Sequence, residues 1–256
     1  MFEALAERDL EAEKGNVMLL PGIGFDVAPT DCLASHLKRR LPSASRLALG
    51  ICSLGSAGIS RGTAKTTLEG LPNGNIVRRE GKLVTLPHLS KKRMIDFGRG
   101  PVQATRSTWG DVSTAYYSTG IGNIEFYMVF PWGIRSLLRI AGHVRPLLNN
   151  ATIQKFLRRR IETWPPGPTD DARARARTYL WGEVQDSQGN VAQSRLHGPE
   201  AYTFTSLAAL AAIRRVLSGE VRPGFQTPST AFGSDFVLEI DQVTREDIML
   251  RMAKER

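Results

Sequence analysis

The opening stretch constrains this chain most: an amphipathic helix feeds a short apolar strand, and the strand breaks into a Gly/Pro loop. Met1–Lys14 puts Phe2, Leu5, Ala6 and Leu10 on one helical face, and Gly15-Asn16 ends it. Val17–Leu20 then reads as a buried strand. A helix followed by a wholly apolar strand is the pattern of a parallel α/β unit, which needs further parallel strands beside it. The opening is therefore expected to be the last α/β unit of a larger sheet whose earlier strands lie outside these residues.

The loop, Leu19–Asp31, reads LLPGIGFDVAPTD. Gly22 and Gly24 allow positive φ or a close approach, Pro21 and Pro29 stiffen the ends, and Thr30 or Asp31 is expected to cap the next helix. Free amide donors and two carboxylates would then meet at one corner. An ordinary strand-to-helix turn accounts for the stretch equally well. The dinucleotide fingerprint does not: its third glycine would fall at 27, which is Val27, and no acid follows at the required distance after a second clean strand.

The 256 residues, 41% apolar, can bury a large core. No stretch reaches the roughly 18 uncharged apolar residues of a spanning helix, and the acidic start (Glu3, Glu7, Asp9, Glu11, Glu13) is the reverse of a signal peptide. A cytoplasmic protein is expected, with peripheral membrane contact as the variant. Cys32 and Cys52 read as small buried hydrophobes, and the four scattered histidines do not suggest a metal site. The net charge of +9 is concentrated between Arg135 and Arg177. That points to one basic face, either simply solvated or facing anionic lipid or phosphate, with nucleic acid the weakest reading because no binding module accompanies it.

Further along, Thr30–Leu41 is expected to be a helix, Arg46–Cys52 a strand, and Gly55–Gly62 a second glycine loop entering a helix that ends at Gly70. Ile76–Leu86 predicts a hairpin around Glu80-Gly81, with strands at Arg93–Phe97, Val102–Thr108 and Asn123–Phe130. Gly110–Gly122 carries many hydroxyls and two tyrosines, so it either faces a polar cavity or is mostly turn. Trp132–Trp164 is helical, apolar and arginine-rich; it reads as a subdomain over the sheet or as a face for a membrane or partner. A second hairpin is expected over Thr178–Gln185 and Val191–Leu196, then a helix capped by Thr203 or Thr205 and running to Leu217. A short helix over Pro228–Asp235, a strand at Phe236–Ile240 and a frayed tail at Arg245–Arg256 complete the expectation.

With PGIGFDVAPTD at 21–31, SRGT at 60–63, WGDVSTAYYSTGI at 109–121, LWGEV at 180–184, GPEAY at 198–202 and GFQTPSTAFG at 224–233, the chain resembles the saccharopine dehydrogenase-like oxidoreductases, including the trans-acting enoyl reductase group. The resemblance runs over nearly the whole chain. It implies an α/β (α+β) fold, a mixed β-sheet with helices on its face. It further implies a remnant of a dinucleotide-binding domain at 1–29, a substrate domain at 30–202 with the helical basic insert 132–164, and a closing segment at 203–256 whose helix returns to the nucleotide side. The cofactor implied is NADP(H) or NAD(H), bound with the help of a Rossmann domain missing from these residues, because the chain has no GxGxxG. It is then expected to be a truncated product or to receive the cofactor half in trans.

By the same resemblance Gly22, Gly24, Phe25 and Asp26 lie beside the nicotinamide, and Asp31 starts the substrate domain. The family's saccharopine reductases have a basic residue after that second acid, whereas here it is Cys32, which counts against an amino-acid substrate. The apolar insert suits a lipid-like acyl substrate better. Hydride transfer to an activated C=C or C=N needs a proton donor, for which Tyr116, Tyr117 and His197 are candidates, each with a purely structural role as the alternative. Ser60, Arg61 and Thr63 could hold a phosphate or carboxyl at a helix start. The competing expectation is a non-catalytic remnant that dimerises, or docks on a partner or an anionic membrane surface, through 132–164.

Overall fold

A computed structural model of the protein describes residues 1–54, 58–70, 74–87, 91–130 and 150–253. The chain opens with α1 (Phe2–Ala6), α2 (Asp9–Lys14) and β1 (Met18–Leu19), then α3 (Ala28–Arg40), β2 (Arg46–Leu54) and α4 (Arg61–Gly70). Two hairpins follow, β3 (Asn75–Arg79) with β4 (Lys82–Leu86) and β5 (Lys92–Asp96) with β6 (Pro101–Ser107). Next come α5 (Asp111–Thr119), β7 (Asn123–Met128), α6 (Ala151–Glu162), α7 (Asp170–Arg175), and the long hairpin β8 (Arg177–Gln185) and β9 (Val191–Pro199). The chain closes with α8 (Ala201–Leu217), β10 (Gly224–Phe225), α9 (Pro228–Phe232), a 3-10 turn (Phe236–Glu239) and β11 (Thr244–Arg251).

Nine strands form one mixed sheet in the order β11-β9-β8-β2-β7-β3-β4, and β6 of the β5–β6 hairpin also pairs with β7. Among the described residues only β2 and β7 run parallel within it, Leu47 opposite Ile124 and Leu49 opposite Phe126. The alternation in these strands divides the sheet's two faces. Leu47, Leu49, Ile51, Ile124, Phe126 and Leu180 turn toward Leu33 and Leu37 of α3 and close the main core. Cys52, Tyr127 and Trp181 turn the other way and are covered by Ile95 and Phe97 of the second hairpin. Leu33, Leu37 and Leu49 are fully buried; at about 1.5–3 kcal/mol for each such side chain, the α3-to-sheet contact holds the fold. Beside the sheet, β1 pairs in parallel with β10, so the chain after α8 returns to its own beginning.

Several elements differ from the sequence expectation. The first helix is two, because its start is drawn to α5, where Glu3 binds Tyr117, while Asp9 farther on accepts from the Phe225 amide of β10 at 2.5 Å. The N-cap of α3 is Val27, not Thr30 or Asp31: the helix starts earlier over Pro29, and the Thr30 hydroxyl turns inward. Glu200, not Thr203 or Thr205, caps α8 by accepting from the Tyr202 and Thr203 amides at 2.9 and 3.2 Å. Phe236–Glu239 is a 3-10 turn and not a strand, and Arg245–Arg251 of the tail expected to fray lie in β11, seven residues of which pair with β9. Its charges are anchored: Asp247 meets His36 at 2.8 Å and the Ser194 hydroxyl at 2.7 Å, and Arg40 lies 3.3 Å away.

The hydroxyl-rich segment is a helix, with Asp111, Thr114 and Thr119 buried and Gly120 at its end in the left-handed conformation. Cys32 and Cys52 are buried free thiols. Of the basic insert 132–164, residues 132–149 lie outside the described residues. Its last part is α6, which turns Ile161 and Leu157 onto Ala64 and Leu68 of α4.

Candidate functional site

The loop entering α3 is folded tightly on its own surroundings. Gly22 has φ +78°, and a Cβ there would lie 2.9 Å from the Val27 side chain. A Cβ on Gly24 would lie 3.0 Å from Cγ2 of Thr205 on α8. The Thr205 hydroxyl accepts from the Phe25 amide at 3.1 Å, and the rings of Phe25 and Phe204 meet edge to face at 5.6 Å. The space left by both glycines is thus taken up by Val27 and Thr205, so Gly22-Ile23-Gly24 is not an open cradle for a pyrophosphate.

One turn earlier on α8, Tyr202 receives the second group of expected residues. Its hydroxyl accepts from the Ser60 amide at 2.7 Å and lies 3.0 Å from Oγ1 of Thr63. Ser60 caps α4, accepting from the Thr63 amide at 3.1 Å, while Arg61 donates to the Glu162 carbonyl on α6 at 3.2 Å. The first turns of α8 therefore bring the Gly24–Phe25 loop and the Ser60–Thr63 helix start together through Thr205 and Tyr202. Sequence reasoning named Thr205 only as a candidate helix cap and gave Tyr202 no role; Tyr202 stands in the GPEAY motif, and its place after a Pro-Glu helix start was the available signal.

On the other side of the loop lie three acids. Asp111, at the start of α5, and Asp31, on the first turn of α3, are both fully buried. Asp111 Oδ2 accepts from the Thr30 hydroxyl at 2.5 Å, and Asp31 Oδ2 accepts from the Ser229 amide at 2.8 Å. The second oxygen of each has no hydrogen-bond partner among the described residues. Burial pushes both carboxyls up, and the nearness of Asp31 and Asp26 adds to the effect at Asp111. Asp26 keeps solvent contact, yet protein crowded around its carboxyl pushes it up as well.

Next to these acids is a cavity of about 190 Å³, lined by Ala6, Asp9, Tyr117, Phe225, Thr227 and Thr230 among others. Tyr117 closes its rim, its ring 5.1 Å from Phe225 and its hydroxyl donating to Glu3 at 2.6 Å. Burial and Glu3 push the phenol up to about 12, so it keeps its proton at neutral pH. Tyr116 lies under the Arg78 guanidinium, 4.4 Å from its ring centre. The expected residues Asp31 and Tyr117 thus meet at one corner: Asp31 accepts from the Ser229 amide of α9, and Thr227, the N-cap of α9, lines the cavity together with Tyr117.

His197 is elsewhere. It lies on β9, on the sheet face turned away from α3, with its ring 5.0 Å from Tyr179. Its Nε2 is buried without a hydrogen-bond partner among the described residues, close to Gly98. Among the described residues no group of His, Cys, Asp and Glu could hold a metal ion, and no helix is long and apolar enough to cross a membrane.

The fold and this corner define a mixed-sheet α/β protein in which a Gly/Pro loop and a buried acid cluster sit where the chain's beginning meets its closing helices. Among solved structures the chain is similar to the apo, histidine-tagged saccharopine dehydrogenase (L-Glu forming) from Saccharomyces cerevisiae, with a TM-score of 0.60 over 97% of this chain and 78% of that one. At 10% identity the likeness is one of fold. No protein-family model matches the chain, and no curated protein matches it.

Proposed function

We propose that these residues form the substrate-binding part of a nicotinamide-dependent oxidoreductase, with the dinucleotide held by a unit outside them. The observation that carries the reading is the shared fold with saccharopine dehydrogenase along nearly the whole chain; because fold alone does not fix function, it is read together with the site. The lack of GxGxxG and the filled glycine positions at 22 and 24 fit a nucleotide bound elsewhere. A second feature supports it: α8 exposes Leu210, Ile213 and Leu217 on one side, from 52% to 81% accessible, which suits a helix packed against a further unit.

In this reading the unit's nicotinamide supplies hydride to an activated C=C or C=N, and the chain's own residues bind and orient the acceptor. The corner of Asp26, Asp31 and Asp111 with Tyr117 would hold protons there, since its carboxyls are raised and its phenol stays protonated. Carboxyls that keep their protons suit a neutral acceptor that must take up a proton as hydride arrives, such as an imine or a thioester-activated alkene.

The test is reconstitution. The coding sequence is searched on either side for a strand–GxGxxG–helix unit, which is expressed with residues 1–256, joined or as a separate chain. NADPH binding is followed by nicotinamide fluorescence, and NADPH oxidation is followed with enoyl-thioester and imine acceptors. Oxidation should require both parts and should fall when Asp26→Ala is introduced. If the nucleotide unit binds NADPH but acceptor reduction is no faster with residues 1–256 than without them, the proposal is wrong.

A further inference from the structure

The sheet face turned away from α3 carries a larger cavity, of about 340 Å³, bordered by Arg46, Arg79, Lys91, Arg93, Glu125 and Glu183. That volume lies within the ~300–1,000 Å³ of small-ligand sites. We propose that this cavity is a binding site for a small ligand bearing a dianionic oxyanion, a phosphate or a pair of carboxylates, separate from the corner at Asp26–Asp111.

Two acids organise three of the four cations. Glu125, nearly buried on β7, accepts from Lys91 at 2.8 Å and from the Tyr127 hydroxyl at 2.6 Å through one oxygen. Its other oxygen takes Arg79, and Arg106 at 3.2 Å. Burial alone would raise this carboxyl, but the bonds from Lys91, Tyr127 and Arg79 outweigh it and hold it down to about 2. Glu183 on β8 accepts from Arg93 at 2.7 Å and from Gln193 at 2.6 Å, and the Arg93 guanidinium lies over the Trp181 ring at 4.6 Å. Arg79 and Arg93 are therefore fixed before any ligand arrives, so their remaining N–H donors cost little to orient.

The charges do not balance. Four cations border the cavity against two acids, and Arg46, exposed at the start of β2, makes no ion pair among the described residues. The excess of about two positive charges in a concave site focuses the field on one small volume. A neutral ligand would leave that excess uncompensated and a monoanion would offset about half of it, whereas a dianion matches it. Ala48 gives the cavity a small apolar patch, and Asn123 and Gln185 add neutral polar groups, so a small metabolite fits better than a bare ion.

The test uses the full chain at low ionic strength and isothermal titration calorimetry with two probes, inorganic phosphate and succinate, to distinguish the two sources of negative charge. Saturable binding of at least one is expected by about 10 mM, weakening with added salt. Arg46→Gln, which breaks no ion pair seen here, should weaken that binding about tenfold without moving the urea midpoint. Lys91→Gln should weaken it as well, because Glu125 keeps Arg79, Arg106 and Tyr127. No binding of either probe, or binding that neither substitution changes, would overturn the proposal. Since the Asp26–Asp111 corner contributes nothing here, Asp26→Ala should leave probe binding unchanged.

Discussion

Asp111→Asn should make this protein more stable at pH 8, an unusual sign for a change at a fully buried polar residue. Asp111 is 0% exposed, uses one oxygen to accept from Thr30, and leaves the other without a partner. A buried unsatisfied acceptor costs about 1–3 kcal/mol, and the like charges of Asp31 and Asp26 add to the burden. Asparagine keeps the acceptor for Thr30 and removes the charge, but its buried amide retains part of the desolvation cost; the net gain should be about 1–3 kcal/mol, or roughly 2–4 °C of Tm for each kcal/mol in a chain of this size. The pH dependence fixes the interpretation. A carboxyl raised in the folded state binds a proton that the unfolded chain has already released, so stability falls as pH rises from the ordinary aspartate value toward the folded one, and the full loss is present above it. The advantage of Asp111→Asn should thus be small near pH 4 and grow toward pH 8. Urea unfolding of both proteins at several pH values, followed by tryptophan fluorescence, measures the difference directly, and taking the difference cancels the opposite trend of lowered acids such as Glu125. Thr30→Val, which removes the hydroxyl donor, should act the other way at pH 8. A variant less stable than the parent by the same amount at every pH would refute the reasoning, since it would mean that Asp111 is a satisfied and favourable group.

Other substitutions probe the joints around the site. Glu3→Gln should let the Tyr117 phenol fall from about 12 toward the ordinary value near 10, seen in an ultraviolet tyrosinate titration; because Glu3 is partly open to solvent, the stability loss should stay at ~1–2 kcal/mol, and an unmoved tyrosine titration would contradict the contact. Gly24→Val puts a side chain where Thr205 Cγ2 is 3.0 Å from a Cβ and should destabilise by about 1–3 kcal/mol, with faster amide exchange at Phe25 as the marker that the loop has lifted from α8. Gly182→Ala would set a methyl 2.5 Å from Leu37 Cδ1 and 3.2 Å from Leu33 Cδ2; a loss of about 1–3 kcal/mol in denaturant unfolding is expected, and full stability would show that α3 does not press on β8 as closely as described.

The strands were legible wherever alternation met a buried face. Leu47, Leu49 and Ile51 announce β2, and the Glu80-Gly81 turn announces β3–β4, where both residues take positive φ. What alternation could not show was β11, because Arg245, Glu246 and Asp247 read as a solvated tail; Asp247's partners His36, Arg40 and Ser194 and Glu246's partner Arg195 are far away in sequence, and only the folded sheet brings them together. The caps failed for a related reason. Thr30 has the right chemistry for an N-cap, but Asp111, 81 residues later, offers its hydroxyl a stronger acceptor. At the site, the loop and Tyr117 were visible as Gly/Pro and hydroxyl-rich runs. Asp111, Tyr202, Thr205 and Glu125 were not, since each is an ordinary residue in sequence and acquires its role from a contact across the fold.

The two faces of the sheet turn the same problem, buried charge, in opposite directions. On the face away from α3, Glu125 is surrounded by Lys91, Arg79, Arg106 and Tyr127 and is held ionised, so it serves as a scaffold for cations. On the α3 face, burial outweighs the donors that reach Asp31 and Asp111, and both carboxyls are pushed toward the neutral form. A core selected only for stability would replace the second pair by apolar residues or complete its hydrogen bonds. Retained as they are, next to a cavity rimmed by Tyr117 and beneath a loop pinned to α8, these carboxyls keep protons available at a pH where exposed aspartates have lost them. The strain in stability and the capacity to hold a proton are the same physical fact, and for that reason Asp111→Asn, which relieves the first, should also reduce acceptor turnover in the reconstituted enzyme.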